Sequence, residues 1–316
     1  LTKKESGIKG WDLPAKMAIF ELQSYIEAIE KNIALFEEKN FVKRIEVIDF
    51  LGFQVMDQIE ELLLKTDQSH KLILLKYRAE KVKSELEEID IDLFQRLQSN
   101  IRTGGFAEKE FKNLINEYFD FNADDTNPPE EIGYDSLDLF INGLFPTQTM
   151  PVQTKDLEPE MVYYQKTPAR IVFELVEKSH FKKEDVFFDL GSGLGQVAIL
   201  VNLLAGITTK GVEFEPAFCE YASDCARELN LSNVTFINVD ARKADYSEGT
   251  LFFMFTPFKG EHLQEVLEIL RKESLLRKIK IITYGPCTAQ VALQSWLDFA
   301  TPKDDNIYKL HVFSSV

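Results

Sequence analysis

The stretch "VFFDLGSGLGQVAI", residues 186–199, constrains this chain more than any other. An apolar run of strand length meets three glycines at alternate positions, and an apolar run of helical length follows at once. Strand, tight turn and helix in immediate succession open a βα unit. The unit then repeats. "ARIVFELVEKS" precedes it as a helix, and "QVAILVNLLAG" is a helix closed by Gly206. "TTKGVEF" and "AFCEYASDCARELN" make a second strand and helix, "VTFINVD" a third strand and "TLFFMFTPF" a fourth. The helix "GEHLQEVLEILRKESLL" leads to a fifth strand, "KIKIITYG", and "IYKLHVFSSV" alternates as a final one. Strands separated by helices of this length imply an α/β fold, a mostly parallel sheet covered on both faces. Ligands of such sheets sit beyond the carboxyl ends of the strands, where the glycine turn lies.

The first half follows another grammar. Ile19, Leu22, Ile26, Ile29, Ile33 and Phe36 recur three and four residues apart, one apolar stripe on a helix. Residues 45–64 are richer in apolar side chains and predict a more deeply buried helix. Leu75, Ala79, Val82, Leu86, Ile89 and Leu93 repeat the spacing. "RTGG" at 102–105 interrupts it, "EKEFKNLINEYF" resumes it, and "DFNADDTNPPEEIGYDS" is a loop by composition. The expected organisation is an all-helical N-terminal domain over 1–120, a linker and lid-like segment over 121–160, and an α/β domain over 161–316.

The net charge of −16 is concentrated in residues 1–160, which carry −13, against −3 for the remainder. An acidic surface repels nucleic acid, whose binding requires clustered Lys and Arg. It suits a basic protein partner, or simply solubility. No apolar run reaches the roughly 20 residues that span a bilayer. The chain opens "LTKKESGIKG", without Met and without an apolar leader, which reads as a trimmed product. Three cysteines match neither a disulfide scaffold nor a metal motif, so the expectation is a cytoplasmic setting and no metal.

The turn itself excludes two ligands. A P-loop needs Gly-Lys-Ser/Thr after its glycines, and this chain continues "GLGQVAI". A dinucleotide turn needs G-x-G-x-x-G, but the sixth position counted from Gly191 is Gln196, and the third glycine arrives one residue early at Gly195. Asp189, just before the turn, is a poor neighbour for two phosphates and a good one for a cation. S-adenosylmethionine carries an ammonium and a sulfonium, and the glycines let its atoms approach the backbone. Glu213 ends the second strand, where a carboxylate accepts from both ribose hydroxyls, with Glu215 as runner-up. Asp240 ends the third, placed to accept from an adenine amino group or to cap a helix.

These residues resemble motif I of the class I S-adenosylmethionine-dependent methyltransferases, over roughly 160–316, and the resemblance implies that family's Rossmann-like sheet. "DLGSGLGQV" more narrowly resembles the Dot1-like histone lysine methyltransferases, as does "YQKTP", whose Tyr164 and Thr167 fit a Tyr-x-x-Thr lid. The resemblance implies that Tyr164 lines the transfer site and that Thr167 and Gln196 hold the methionine end. It implies a cofactor set of Tyr164, Thr167, Asp189, Gly191, Ser192, Gly193, Gly195, Gln196, Glu213, Asp240 and Ala241. After the fourth strand the family has an asparagine-containing segment, and related amine methyltransferases have Asn/Asp-Pro-Pro-Tyr/Phe. Here the segment is "FTPF", with Thr256 and Phe258 beside Tyr164 as the candidate catalytic residues. The amide or carboxylate that would orient an amine is missing, which leaves the acceptor open between a protein lysine and a small molecule. A scaffold that keeps the cofactor fold and an NAD-dependent oxidoreductase are the competing readings. His262 reads as a surface residue early in its helix, and Tyr284 and Cys287 as residues bordering the pocket.

Overall fold

The computed structural model describes residues 12–104, 108–119, 133–146, 149–300 and 306–316. The chain's opening residues and most of the acidic loop near 120–132 lie outside them. The chain divides into two compact units, Leu1–Arg96 and Leu97–Val316.

The first unit is helical: α1 (Asp12–Glu30), α2 (Phe41–Asp49), α3 (Met56–Lys65) and α4 (Ser69–Arg102), the last running on into the second unit. Ile19, Leu22 and Ile26 of α1, Leu51, Val55 and Ile59, and Leu72, Leu75, Ala79 and Val82 of α4 form one buried cluster. The apolar stripe predicted through Phe36 is cut short. The helix ends at Glu30, a 3₁₀ turn changes the angular phase, and Leu35 is buried while Ile33 is exposed. Residues 45–64 are not one α-helix, because a π-helical turn at Phe50–Val55 separates α2 from α3. On α4 the place next to half-buried Ile89 belongs to Asp90, which is buried against Arg44.

The second unit continues with α5 (Glu108–Tyr118), α6 (Ser136–Gly143) and α7 (Ala169–Ser179). A βα series follows: β1 (Val186–Leu190), α8 (Gln196–Ala205), β2 (Thr208–Glu213), α9 (Pro216–Glu228), β3 (Val234–Asn238), β4 (Leu251–Met254), α10 (Gly260–Ser274), β5 (Lys280–Thr283), α11 (Cys287–Val291), β6 (Leu297–Phe299) and β7 (His311–Ser315). The seven strands run in the order β3-β2-β1-β4-β5-β7-β6. β1 to β5 are parallel, and β7 is antiparallel to both β5 and β6. With flanking helices and a helical region ahead of it, this is the Rossmann-like fold of class I methyltransferases. The short elements β6 and α11 are additions to the sequence reading, and so is α6, which falls inside the stretch expected to be a linker. The division at Arg96 differs from the change of grammar near residue 120, because α5 packs on α8 and α6 on α7.

Strand alternation sets up the site. Phe188 and Leu190 of β1 join the buried cluster of α10, with Phe252, Met254, Leu263, Val266, Leu267 and Leu270. Phe187 and Asp189 point to the opposite face, where Phe187 stacks on Phe253 at 6.4 Å. Among the described residues no helix is long and apolar enough to cross a membrane.

Candidate functional site

Each strand of the parallel set ends at one place. Gly191 after β1, Glu213 and Phe214 after β2, Val239 and Ala241 after β3, Phe255 to Phe258 after β4 and Pro286 after β5 line a cavity of about 240 Å³. A second cavity of about 570 Å³ is lined by Asn142, Phe145, Lys166, Leu194, Gln196 and Tyr221, among others. Tyr164 is a wall of both.

The glycine turn is shaped by these neighbours. Gly191 and Gly193 have φ of 75° and 51°, in the left-handed region. A Cβ on Gly191 would stand 2.2 Å from Cβ of Pro257, and one on Gly193 would stand 2.2 Å from the Tyr164 ring. The "FTPF" loop and the lid therefore rest directly on the turn. The Gly191 and Ser192 amides donate to Val212 O at 2.9 and 3.0 Å, and Gly195 opens α8. Ser192 Oγ is buried without a partner.

Behind the turn stand two buried acids. Asp189 is 3% exposed; burial, and then the charge of Glu213, push its carboxyl up to about 8. Glu213 is also raised by burial, although it accepts from Gly193 N at 2.7 Å and Glu215 N at 2.8 Å. The charge of Glu213 thus bears on Asp189, and a cation or hydroxyl donors beside the two acids would favour their ionised forms. Glu215, the runner-up, is committed elsewhere. It caps α9 at Ala217 N and accepts from the Thr154 hydroxyl and from Lys155 N. Asp240 is likewise engaged. Its side chain accepts from Arg242 N at 2.9 Å and holds the Arg242 guanidinium at 2.7 Å, and these bonds lower its carboxyl below the usual range. The capping role is the one seen. The wall of the cavity at this point is Val239 and Ala241.

The segment ahead of α7 is fastened across the strand ends. Val162 N donates to Pro257 O at 3.1 Å and Lys259 N to Glu160 O at 3.0 Å, so residues 160–162 lie along the "FTPF" loop. Glu160 caps α10 by accepting from His262 N at 2.9 Å. Tyr164 lies near Phe218, ring centroids 5.6 Å apart, and burial holds its phenol well above the ordinary tyrosine range. It is neutral at physiological pH. Thr167 is buried, and its carbonyl accepts from Gln196 Nε2 at 3.3 Å, while Gln196 Oε1 is buried without a partner. The helix after it is capped by Asp138 Oδ1, which accepts from Ala169 N at 2.8 Å.

Thr256 has φ of 46°, a genuine outlier for a β-branched residue. Its Oγ1 accepts from Cys287 N at 3.2 Å. Phe258 is buried and stacks on His262 with centroids 4.6 Å apart and planes 8° apart. The surface placement expected for His262 is wrong. It is 4% exposed and lines the cavity, because it stands one turn before Val266 on the apolar face of α10. That 3.6-residue register was the signal available in the sequence. Tyr284 and Cys287 are buried in the core, and Pro286 and Tyr308 line the cavity instead. Phe214 and Lys166 line the cavities without being singled out by any motif, and Glu160 acts from outside their walls by capping α10.

A family model described as "Histone methylation protein DOT1" matches residues 159–255. No curated protein matches the chain at a significant level. Among solved structures, the chain is similar to an RNA methyltransferase from Salinibacter ruber in complex with S-adenosyl-L-homocysteine. That likeness has 23% identity, 48% of this chain and 92% of the other covered, and a TM-score of 0.39. It is similar to a SAM-dependent methyltransferase from Aquifex aeolicus at 15% identity, 46% and 88% coverage and TM-score 0.37. It is also similar to precorrin-6y C5,15-methyltransferase from Geobacter metallireducens at 15% identity, 49% and 92% coverage and TM-score 0.37.

Proposed function

We propose that the chain is an S-adenosylmethionine-dependent methyltransferase. The observation that carries this reading is Glu213 in the wall of a cavity, with Asp189 buried behind the same turn, one that only glycine can make. The donor set fits the cofactor. Glu213 offers acceptors to ribose hydroxyls, and Asp189 offers a carboxyl group whose ionised form a neighbouring ammonium would stabilise, its proton passing to solvent. The orphaned Ser192 Oγ and Gln196 Oε1 offer further polar contacts. Gly193 and Tyr164 set how closely the methionine end approaches the backbone.

When bound, the cofactor supplies a methyl carbon activated by its sulfonium. The chain's own residues have then to align and dry the acceptor. Phe255, Pro257, Pro286 and Tyr308 exclude water from one side, and the neutral Tyr164 phenol can orient an acceptor lone pair without acting as a base. Thr256 is fixed by Cys287 N and retains its hydroxyl proton as a donor. The DOT1 family match favours a protein lysine amine as acceptor. A small-molecule acceptor is the second reading, favoured by Phe255 at a strand end where an orienting amide would stand. The cytoplasm is the proposed compartment.

Titration calorimetry with S-adenosylmethionine and with NAD tests the reading. Micromolar binding of the first, none of the second, and loss in Asp189→Ala are expected. A folded protein that binds neither would overturn it.

A further inference from the structure

His262 is the least explained group in the site. It is 4% exposed, and neither Nδ1 nor Nε2 has a hydrogen-bond partner. A buried imidazole with both nitrogens orphaned is costly unless something satisfies it. Its ring cannot swing away easily, being stacked flat on Phe258 at 4.6 Å and fixed at its backbone by Glu160. It lines the same cavity as Glu213, Phe214, Val239 and Ala241. Asp240 is 3.7 Å from its Nε2, beyond a hydrogen bond, with its own oxygens drawn to Arg242.

We infer that His262 is the specificity residue for the cofactor's base, its neutral ring pairing with the hydrogen-bonding edge of adenine. The inference rests on the cofactor reading above. The two imidazole nitrogens diverge, so one of them meets the base: as an acceptor it takes a hydrogen bond from the adenine amino group, a donor that hypoxanthine lacks at that position. Asp240 is held by Arg242 and leaves this role to the histidine. Phe258 backs the ring and sets its plane. The neutral form is the one the surroundings favour. Burial, and then Arg242, hold His262 below the ordinary imidazole value, against the opposing pull of Asp240, Glu158 and Glu265. Glu160, from the segment ahead of α7, accepts from the His262 backbone amide and not from its ring. The neighbourhood of Asp240, just after β3, sets His262 at the base-recognition end and not at methyl transfer.

The test is calorimetry of the full chain with S-adenosylhomocysteine and with its hypoxanthine analogue, in which the amino donor is replaced by a carbonyl. Wild type is expected to prefer the adenine compound. His262→Leu should bind it about tenfold more weakly, the cost of one buried hydrogen bond, and should no longer separate the two bases. His262→Gln, which keeps a donor and an acceptor, should recover part of the preference. Equal binding and equal discrimination by a folded His262→Leu would overturn the inference and leave the cofactor reading standing. Wild type that binds neither compound would overturn both. Should the leucine variant fail to fold, the imidazole nitrogen resonances of wild type decide. The His262 signals are expected to move on titration with S-adenosylhomocysteine, and signals that stay fixed would refute the role.

Discussion

The helical unit and the α/β unit each bury charge, in opposite ways. Arg44, 0% exposed, places all its N–H groups. Nε and Nη2 donate to Asp90 Oδ1 at 2.8 and 2.6 Å, and the rest go to the carbonyls of Leu35, Glu37 and Glu38. A cation, an anion and a turn are tied into one structural knot. In the α/β unit the carboxyl groups of Asp189 and Glu213 are both buried and both raised by burial, Asp189 further by the charge of Glu213. Nearby lie unpartnered atoms on Ser192, Gln196 and His262. Opposite charges buried together describe architecture, whereas two acids buried without a cation describe a place for a ligand.

Breaking the knot should have the largest effect. Arg44→Leu leaves Asp90 buried without its cation, and losing one partner of such a pair costs about 3–5 kcal/mol. Chemical denaturation monitored by circular dichroism would read this as a lower midpoint. Replacing both residues, Arg44→Leu with Asp90→Leu, should cost less than Arg44→Leu alone, because no orphan charge remains. Ligand affinity is expected to be unchanged in whatever fraction stays folded.

Asp189→Asn should act in the reverse sense. Removing the carboxylate costs the cationic ligand about a hundredfold in affinity, yet it stabilises the free protein. The sign follows from the raised value. A carboxyl held near 8 in the folded state contributes stability that is complete below its unfolded value, 3.8, and is lost as pH rises through 8. Wild type should therefore lose stability on going from acid to mildly alkaline conditions, and Asp189→Asn should lose less of it, by a few kcal/mol at the alkaline end. Urea titrations of both proteins across that range measure the difference. Calorimetry in buffers of different ionisation enthalpy should also show wild type releasing a proton on binding, because a bound ammonium lowers Asp189. The variant should not. Gly193→Ala comes next. Left-handed backbone costs a non-glycine about 1–2 kcal/mol. The added Cβ, 2.2 Å from the Tyr164 ring, should also displace the lid and weaken binding more than it lowers the melting temperature.

Most of the α/β unit was legible in the sequence because its signals are local. The run "VFFDL" is a strand whose next residues must be a turn, and Glu213 follows from counting to the next strand end. The knot of Arg44 and Asp90, 46 residues apart, has no local signature. β6, three residues long, is shorter than any alternation can reveal, and it exists because β7 supplies its partner. The exposed Ile33 shows the limit of extending a periodicity past a helix end, since no residue after Glu30 announces the change of phase. The second cavity behind Tyr164 draws on residues from 142 to 221, a convergence that only the tertiary fold creates. His262 was legible in principle, by its register with Val266. It was missed because a polar residue at a helix start ordinarily faces solvent.

The smallest expected effect asks whether strain, like charge, is kept at the site. Thr256 holds a left-handed φ of 46° that a β-branched side chain resists, and it does so against Gly285, where a Cβ would come within 2.9 Å of its Oγ1. Asn tolerates this conformation better than threonine does. Thr256→Asn should therefore stabilise the protein by up to about 1 kcal/mol, read as a melting temperature a few degrees higher. It retains an acceptor for Cys287 N but replaces a compact hydroxyl with a bulkier amide at the mouth of the cavity. S-adenosylhomocysteine affinity should stay within about twofold, since the cofactor acids are untouched, a change worth less than 0.5 kcal/mol. Turnover with any acceptor found should change by more than affinity does. Were the variant less stable than wild type, the left-handed backbone would be relaxed rather than strained, and the contrast between a settled helical unit and a site held under tension would rest on charge alone.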